Sequence, residues 1–135
     1  MDYALSDEYN RGWLTDFKRA RQDRMRIAEE QAGHVTIVAI DGRIDTGTAN
    51  ALEEKLTGLF KAGRNRVIVD CRRLAYITSA GLRVMLRAAK LADKSNGKFA
   101  LCNMSTEVRR VFDLGEMSDL FAIFPSREDG VAKLS

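Results

Sequence analysis

Histidine and cysteine are scarce: His34 is the only histidine, and Cys71 and Cys102 are the only cysteines. The two thiols do not form a C-x-x-C pair, so no metal set can be assembled from them and one imidazole. Each falls at the end of an expected strand and reads as a small buried hydrophobe. His34, beside Gly33, reads as a turn residue with no acid–base role. No apolar run approaches the roughly 20 residues that would span a bilayer, and the N-terminus lacks a signal-peptide core. A cytoplasmic protein without a membrane segment is expected. G-x-G-x-x-G, G-x-x-x-x-G-K-[ST] and G-x-S-x-G are all missing. A triad built on Ser79 would need His34, which lies in an expected turn at the far end of a strand. The paired carboxylates Glu29–Glu30 and Glu53–Glu54 fall on expected strand and helix surfaces rather than in a cleft. No enzyme and no cofactor are therefore expected. A net charge of +3, with both signs interspersed, gives no case for direct nucleic-acid binding.

What is present suits one α/β domain. The chain has 135 residues, 45% of them hydrophobic and 30% charged, enough to bury a proper core. Residues 1–22 form a segment of their own, in which Tyr9, Trp13, Leu14 and Phe17 recur at roughly helical spacing. This amphipathic helix needs a partner for its apolar face. Candidates are an open face of the sheet, a second copy in a homodimer, or another protein. Its acidic residues, Asp7, Glu8, Asp16 and Asp23, argue against a membrane surface.

Residues 23–135 read as β-β-α-β-α-β-α-β-α. Arg24–Gln31 and Val35–Ile40 form a hairpin around Ala32-Gly33-His34, and Asp41-Gly42 breaks the second strand. Asp45, Thr46 and Thr48 are cap candidates for a helix with apolar positions Ala49, Leu52, Leu56, Leu59 and Phe60, closed by Gly63. Arg66–Cys71 carries the run Val67-Ile68-Val69, the mark of a central strand buried on both sides. A loop through Leu74 and Tyr76 leads into a helix with Leu82, Met85, Leu86 and Ala89 on one face, ending near Ser95-Asn96-Gly97. Lys98–Asn103 is a fourth strand and Leu120–Phe124 a fifth, ended by Pro125. Ser105 caps a helix bearing Val108, Val111 and Phe112, and Ser126 caps a last one. Crossovers of this length make strands two to five largely parallel. The fold expected is a mixed sheet of four to five strands with about four helices.

Chemistry concentrates at Thr78-Ser79, where a strand gives way to a helix. In α/β sheets functional groups gather at the carboxyl ends of strands. A hydroxyl there can cap the helix, or it can accept a phosphate beside the positive end of the helix dipole. A phosphate on Ser79 would add about −1.5 to −2 charges. Arg83, one turn along, lies within pairing reach.

The stretch Val67-Ile68-Val69-Asp70, Leu74, then Tyr76-Ile77-Thr78-Ser79-Ala80-Gly81-Leu82-Arg83-Val84 resembles the signature of STAS domains, the family of anti-sigma factor antagonists. Asp41-Gly42-Arg43-Ile44-Asp45 is similar to the family's G-x-[LI]-D. Phe99-Ala100-Leu101-Cys102 with Val108-Arg109-Arg110-Val111-Phe112 is similar to its later strand and helix. The resemblance covers about residues 24–134. It implies a bacterial regulator of transcription working by partner switching. The unphosphorylated antagonist binds an anti-sigma factor that is also a GHKL-type serine kinase and so frees a sigma factor. Phosphorylation of Ser79 ends binding, and a PP2C-type phosphatase reverses it. The partner surface so implied comprises Asp45, Thr46, Thr78, Ser79, Gly81, Arg83 and Arg87. Many switchable members have Asp before the acceptor and Ser or Thr after it. Here Thr78 and Ala80 stand there, which makes Thr78 a second candidate acceptor. The alternative is a non-switching STAS module in an assembly, a sensor scaffold of stressosome type, or a transporter accessory subunit.

Overall fold

The computed structural model describes residues 24–135. The expected helix over residues 1–22, and any dimer made through it, lie outside the described residues. The elements run β1 (Met25–Ala32), β2 (Val35–Ile44), α1 (Ala49–Lys61), β3 (Arg66–Ile77), α2 (Ser79–Lys94), β4 (Lys98–Cys102), α3 (Thr106–Leu114), β5 (Ala122–Phe124) and α4 (Arg127–Leu134), with a 3-10 turn at Ser118–Leu120. The sheet order is β1-β2-β3-β4-β5. β1 is antiparallel to β2 around Gly33 and His34, and every later pairing is parallel. The hairpin and the parallel crossovers are as expected from the pattern.

Two strands run further than their sequences suggest. β2 does not stop at Asp41-Gly42, and the expected loop through Leu74 and Tyr76 is the second half of β3. Register shifts between Ala39 and Asp41 and between Gly42 and Arg43 keep the two paired out to Ile44 and Ile77, as bulges do. Gly42 makes this possible. Its φ is +118°, and a Cβ there would lie 2.1 Å from the Arg24 carbonyl oxygen, so only glycine fits. Conversely, Leu120 belongs to the 3-10 turn and is exposed, which shortens β5 to three residues.

The two faces of the sheet are covered unequally. On one, α1, α2 and α3 pack Leu52, Leu56, Met85, Val108 and Phe112 onto Val38, Ile40, Val67, Val69 and Leu101. The buried stripe of α2 is Gly81, Leu82, Val84, Met85, Ala88 and Ala92; Leu86 and Ala89, expected in it, are half-buried at its margin. On the other face, among the described residues, only α4 packs, setting Val131 and Leu134 on Val35, Ile37, Ile68, Ala100 and Cys102. Val67, Ile68 and Val69 are all fully buried, as a strand with both faces covered requires. Both thiols are buried and free. Burial pushes Cys71 above its ordinary value and Cys102 up to about 12, so neither is a nucleophile.

Candidate functional site

The pairing of Ile44 with Ile77 fixes the site. It brings two chain ends together: β2 leaving into the Asp45–Thr48 turn, and β3 leaving into α2. Thr78 is the residue before the helix, with extended backbone (φ −100°, ψ 177°). Its N–H donates to the Ile44 carbonyl at 2.9 Å, and its hydroxyl leans on the same oxygen at 3.4 Å. That hydroxyl is therefore turned toward β2 and does not cap α2.

Ser79 is the first helical residue and is exposed. Among the described residues no side chain caps α2, and its first turn holds no acidic residue. The first intrahelical bond is Leu82 N–H to the Thr78 carbonyl, 3.0 Å. The N–H groups of Ser79, Ala80 and Gly81 precede it and are the donors a helix leaves open at its start. The start of α1 likewise has no side-chain cap and no acidic residue in its first turn, whereas α3 and α4 differ. Ser105 accepts from Val108 N–H at the head of α3, and Ser126 from Asp129 N–H at the head of α4. Neither Thr78 nor Ser79 is the cap that spacing alone allowed; the first turn of α2 is open to an incoming anion.

The remaining expected site residues divide by burial. Asp45 is mostly structural: its Oδ1 accepts from Gly47 and Thr48 N–H at 2.9 and 3.1 Å, and its Oδ2 lies 3.6 Å from Arg43. Thr48 completes the turn, accepting from Asp45 N–H and donating to the Arg43 carbonyl, each 2.9 Å. Thr46 is exposed at its tip. Gly81 is buried and presents nothing to a partner; its place is to let α2 press on the sheet. A Cβ there would stand 2.6 Å from Ile77 Cγ1 and 2.7 Å from Ile44 Cγ2. Arg83 is exposed, with no ion pair among the described residues. Arg87 is occupied: its Nη1 reaches both Glu53 oxygens, at 3.0 and 3.1 Å, and bridges α2 to α1. Residue pattern did not single out the Arg43 guanidinium, 6.0 Å from the Tyr76 ring centroid. Their register pairing across β2 and β3 sets a half-exposed aromatic beside the head of α2.

A second polar cluster went unseen in the sequence. Asp70 lies near the middle of β3, 5% exposed. Its Oδ1 accepts from Asn103 Nδ2 and Arg72 N–H, both 3.0 Å; its Oδ2 accepts from Arg127 Nε at 3.0 Å and lies 2.9 Å from Arg127 Nη2 in an ion pair. Arg127 Nη1 also reaches Glu30, 3.0 Å. Burial alone would raise the Asp70 carboxyl. The bonds from Asn103, Arg72 and Arg127 outweigh it and hold the group below the usual carboxylate range. The pairs Glu29–Glu30 and Glu53–Glu54, read as solvated, supply ion-pair partners to Lys55, Arg127 and Arg87.

With this geometry in place, likeness to known proteins is decisive. The model of the STAS domain family matches residues 26–130. The chain belongs to the STAS domain family. It is 33% identical over 108 residues to BtrV of Bordetella bronchiseptica, named as an anti-sigma factor antagonist, covering 80% of this chain and 93% of that one. It is 34% identical over 94 residues to the anti-sigma-B factor antagonist of Bacillus subtilis, covering 70% and 85%. Its fold matches SpoIIAA, a Bacillus cell fate determinant and anti-sigma factor antagonist. The unphosphorylated form superposes with a TM-score of 0.69 at 19% identity, covering 80% of this chain and 95% of that one. The phosphorylated form gives 0.65 at 17%, covering 82% and 100%. Among the described residues no helix is long and apolar enough to cross a membrane.

Proposed function

We propose that this STAS domain is an anti-sigma factor antagonist that works by partner switching, with Ser79 as the switch. Unphosphorylated, it docks on an anti-sigma factor with GHKL-type kinase activity and frees the sigma factor that protein held. The docking surface is the head of α2 with Thr46, Tyr76 and Arg83. The kinase then places a phosphate on Ser79, and a PP2C-type phosphatase removes it. The observation that carries this reading is the exposed Ser79 hydroxyl on a helix start that nothing caps, in a chain whose relatives bear the antagonist name.

The physical consequence of phosphorylation is local. About −1.5 to −2 charges arrive beside open N–H donors, and Arg83, four residues on, can pair with them. The phosphate is held where it lands, so the fold has no reason to change. The surface that docked is now bulky and negative, and a partner shaped for a neutral hydroxyl would have to desolvate that charge.

Incubation with the kinase and ATP should add one phosphate, read by intact mass, that disappears in Ser79→Ala and persists in Thr78→Val. Ser79→Asp should bind the kinase at least tenfold more weakly, about 1.4 kcal/mol. Equal binding by wild type and Ser79→Asp would refute the switch. The second reading, a non-switching assembly module, is favoured by Thr78, which stands where switchable members carry a carboxylate. It predicts partner binding without phosphate transfer.

A further inference from the structure

The end of the sheet remote from Ser79 carries a chemistry of its own. β3 is twelve residues long, which sets Arg66 roughly 36 Å from Ile77. Arg66 is the register partner of Lys98 at the start of β4. Val67 and Phe99, the next residues on the two strands, point into the three-helix core, so Arg66 and Lys98 project together from the opposite face. Two cations thus stand side by side on strands about 4.8 Å apart. Arg66 is half-buried and Lys98 exposed, and neither has an ion pair among the described residues. Like charges at that spacing repel. Arg66 also lines a notch of about 460 Å³ whose wall holds Gln31, His34, Arg64 and Asn65 and no carboxylate. Gln31 orients Arg64: its Oε1 accepts from Arg64 Nη1 at 2.6 Å and from Thr36 Oγ1 at 3.0 Å. A neutral acceptor leaves the guanidinium charge in place. Glu29, whose carboxylate feels Arg64, is itself bound to Lys55. Lys61 and Lys94 close the last turns of α1 and α2, where cations answer helix carbonyls. Arg66 and Lys98, at strand starts, have no such use.

We propose that this notch binds a small soluble phosphate ester or pyrophosphate, with Arg66 and Lys98 as its charge partners and Arg64, His34 and Asn65 as hydrogen-bond donors. A multiply charged anion turns one repulsion into two attractions. Guanidinium forks match phosphate oxygens two at a time, and the notch offers two of them. Larger sources of phosphate fit less well. A membrane surface calls for aliphatic or aromatic side chains that enter the lipid, and a nucleic-acid strand for aromatics that stack its bases. Among the described residues the large exposed apolar side chains are Tyr76, Leu114 and Leu120. None of these belongs to residues 31–34, 61–66 or 94–98, which build this end of the sheet.

Pyrophosphate is the probe. The full chain in millimolar pyrophosphate should melt several degrees higher than in sodium chloride of equal ionic strength. Lys98→Gln, at an exposed position, should melt at or slightly above wild type without pyrophosphate, because the repulsion is gone. It should lose most of the pyrophosphate shift, and Arg66→Gln should lose it as well. Amide chemical shifts should move at His34, Arg64 to Arg66 and Lys98 as pyrophosphate is added. A melt that pyrophosphate moves no further than chloride does would overturn the proposal. So would a shift that folded Lys98→Gln retains in full. Amide changes confined to Ser79, Ala80 and Gly81 would overturn it too, and would place the anion at the head of α2. Sedimentation with phosphatidylglycerol vesicles, without any effect of pyrophosphate, would overturn it and assign these cations to a lipid surface.

Discussion

Asp70 and Ser79 sit on and just beyond the same strand, and the fold treats them in opposite ways. Asp70 is sealed by α4, and its carboxylate receives three hydrogen bonds, from Asn103, Arg72 and Arg127, and an ion-pair contact from Arg127 Nη2. Ser79 is left on the surface at a helix start whose donors no side chain satisfies. A buried polar group without partners costs free energy, so Asp70 has to be satisfied wherever it sits. Open N–H donors at the surface cost little because water serves them. The cluster at Asp70 therefore holds the domain together, whereas the head of α2 is free to exchange water for something else.

The sharpest way to break that contrast is Asp70→Ala. It removes the acceptor from Arg127 and Asn103 and loosens α4 from β3. A loss of about 3 kcal/mol is expected, as for other buried pairs deprived of one partner, read as a lower midpoint in urea with an unchanged slope. Phosphorylation of Ser79 by the kinase should survive at temperatures where the variant is folded. A variant as stable as wild type would show that Asp70 holds nothing.

The same group sets an acid limit. The folded carboxyl titrates below its ordinary value, so the unfolded chain takes up the proton first as pH drops. The stabilisation is whole above the unfolded pKa of about 3.9 and is lost as pH falls through the lower folded value. Denaturation midpoints measured from pH 7 down should fall steeply only below about 4, and Asp70→Ala should flatten that part of the curve.

How far these two places could be read in advance differs for a physical reason. Ser105, Ser126 and the buried face of α1 are local patterns, and each sits where its spacing places it. Ser79 was legible as the start of a helix because a strand-to-helix junction is also local. Its missing cap was not, because the Thr78 hydroxyl turns to a carbonyl 34 positions away. The Asp70 cluster joins residues 33 and 57 positions apart, and nothing in the spacing of Asp70, Asn103 and Arg127 announces it. The extensions of β2 and β3 were hidden likewise: Gly42 reads as a stop until its positive φ is seen to serve a bulge.

Gly81 sharpens the comparison from the inside. It is the buried neighbour of an exposed serine, one turn of backbone serving two purposes. Alanine there would press on Ile77 and Ile44, which are 1% and 0% exposed and have nowhere to move. The better helix propensity of alanine returns up to about 1 kcal/mol, against roughly 1–3 kcal/mol of overpacking. A net loss of up to about 2 kcal/mol is expected. It should be accompanied by weaker kinase binding, because α2 must shift outward and carry Ser79 with it. Stability lost with binding unchanged would show that the partner does not read the position of the helix.

The smallest effect is the most discriminating. Ser79→Asp places a carboxylate at the first turn of a helix that has no acidic residue there and no cap. It should stabilise the domain by about 0.3–1 kcal/mol, a rise in melting temperature of a few degrees that shrinks in high salt. Adding Arg83→Ala should take back part of that gain, and Arg83→Ala alone should change little. A mimic that binds its partner more weakly while melting higher cannot be acting by unfolding. It must act by occupying donors that the unmodified domain leaves open. A mimic that melts lower would mean that the head of α2 has no place for a negative charge, and the difference between the two corners of β3 would lose its functional meaning.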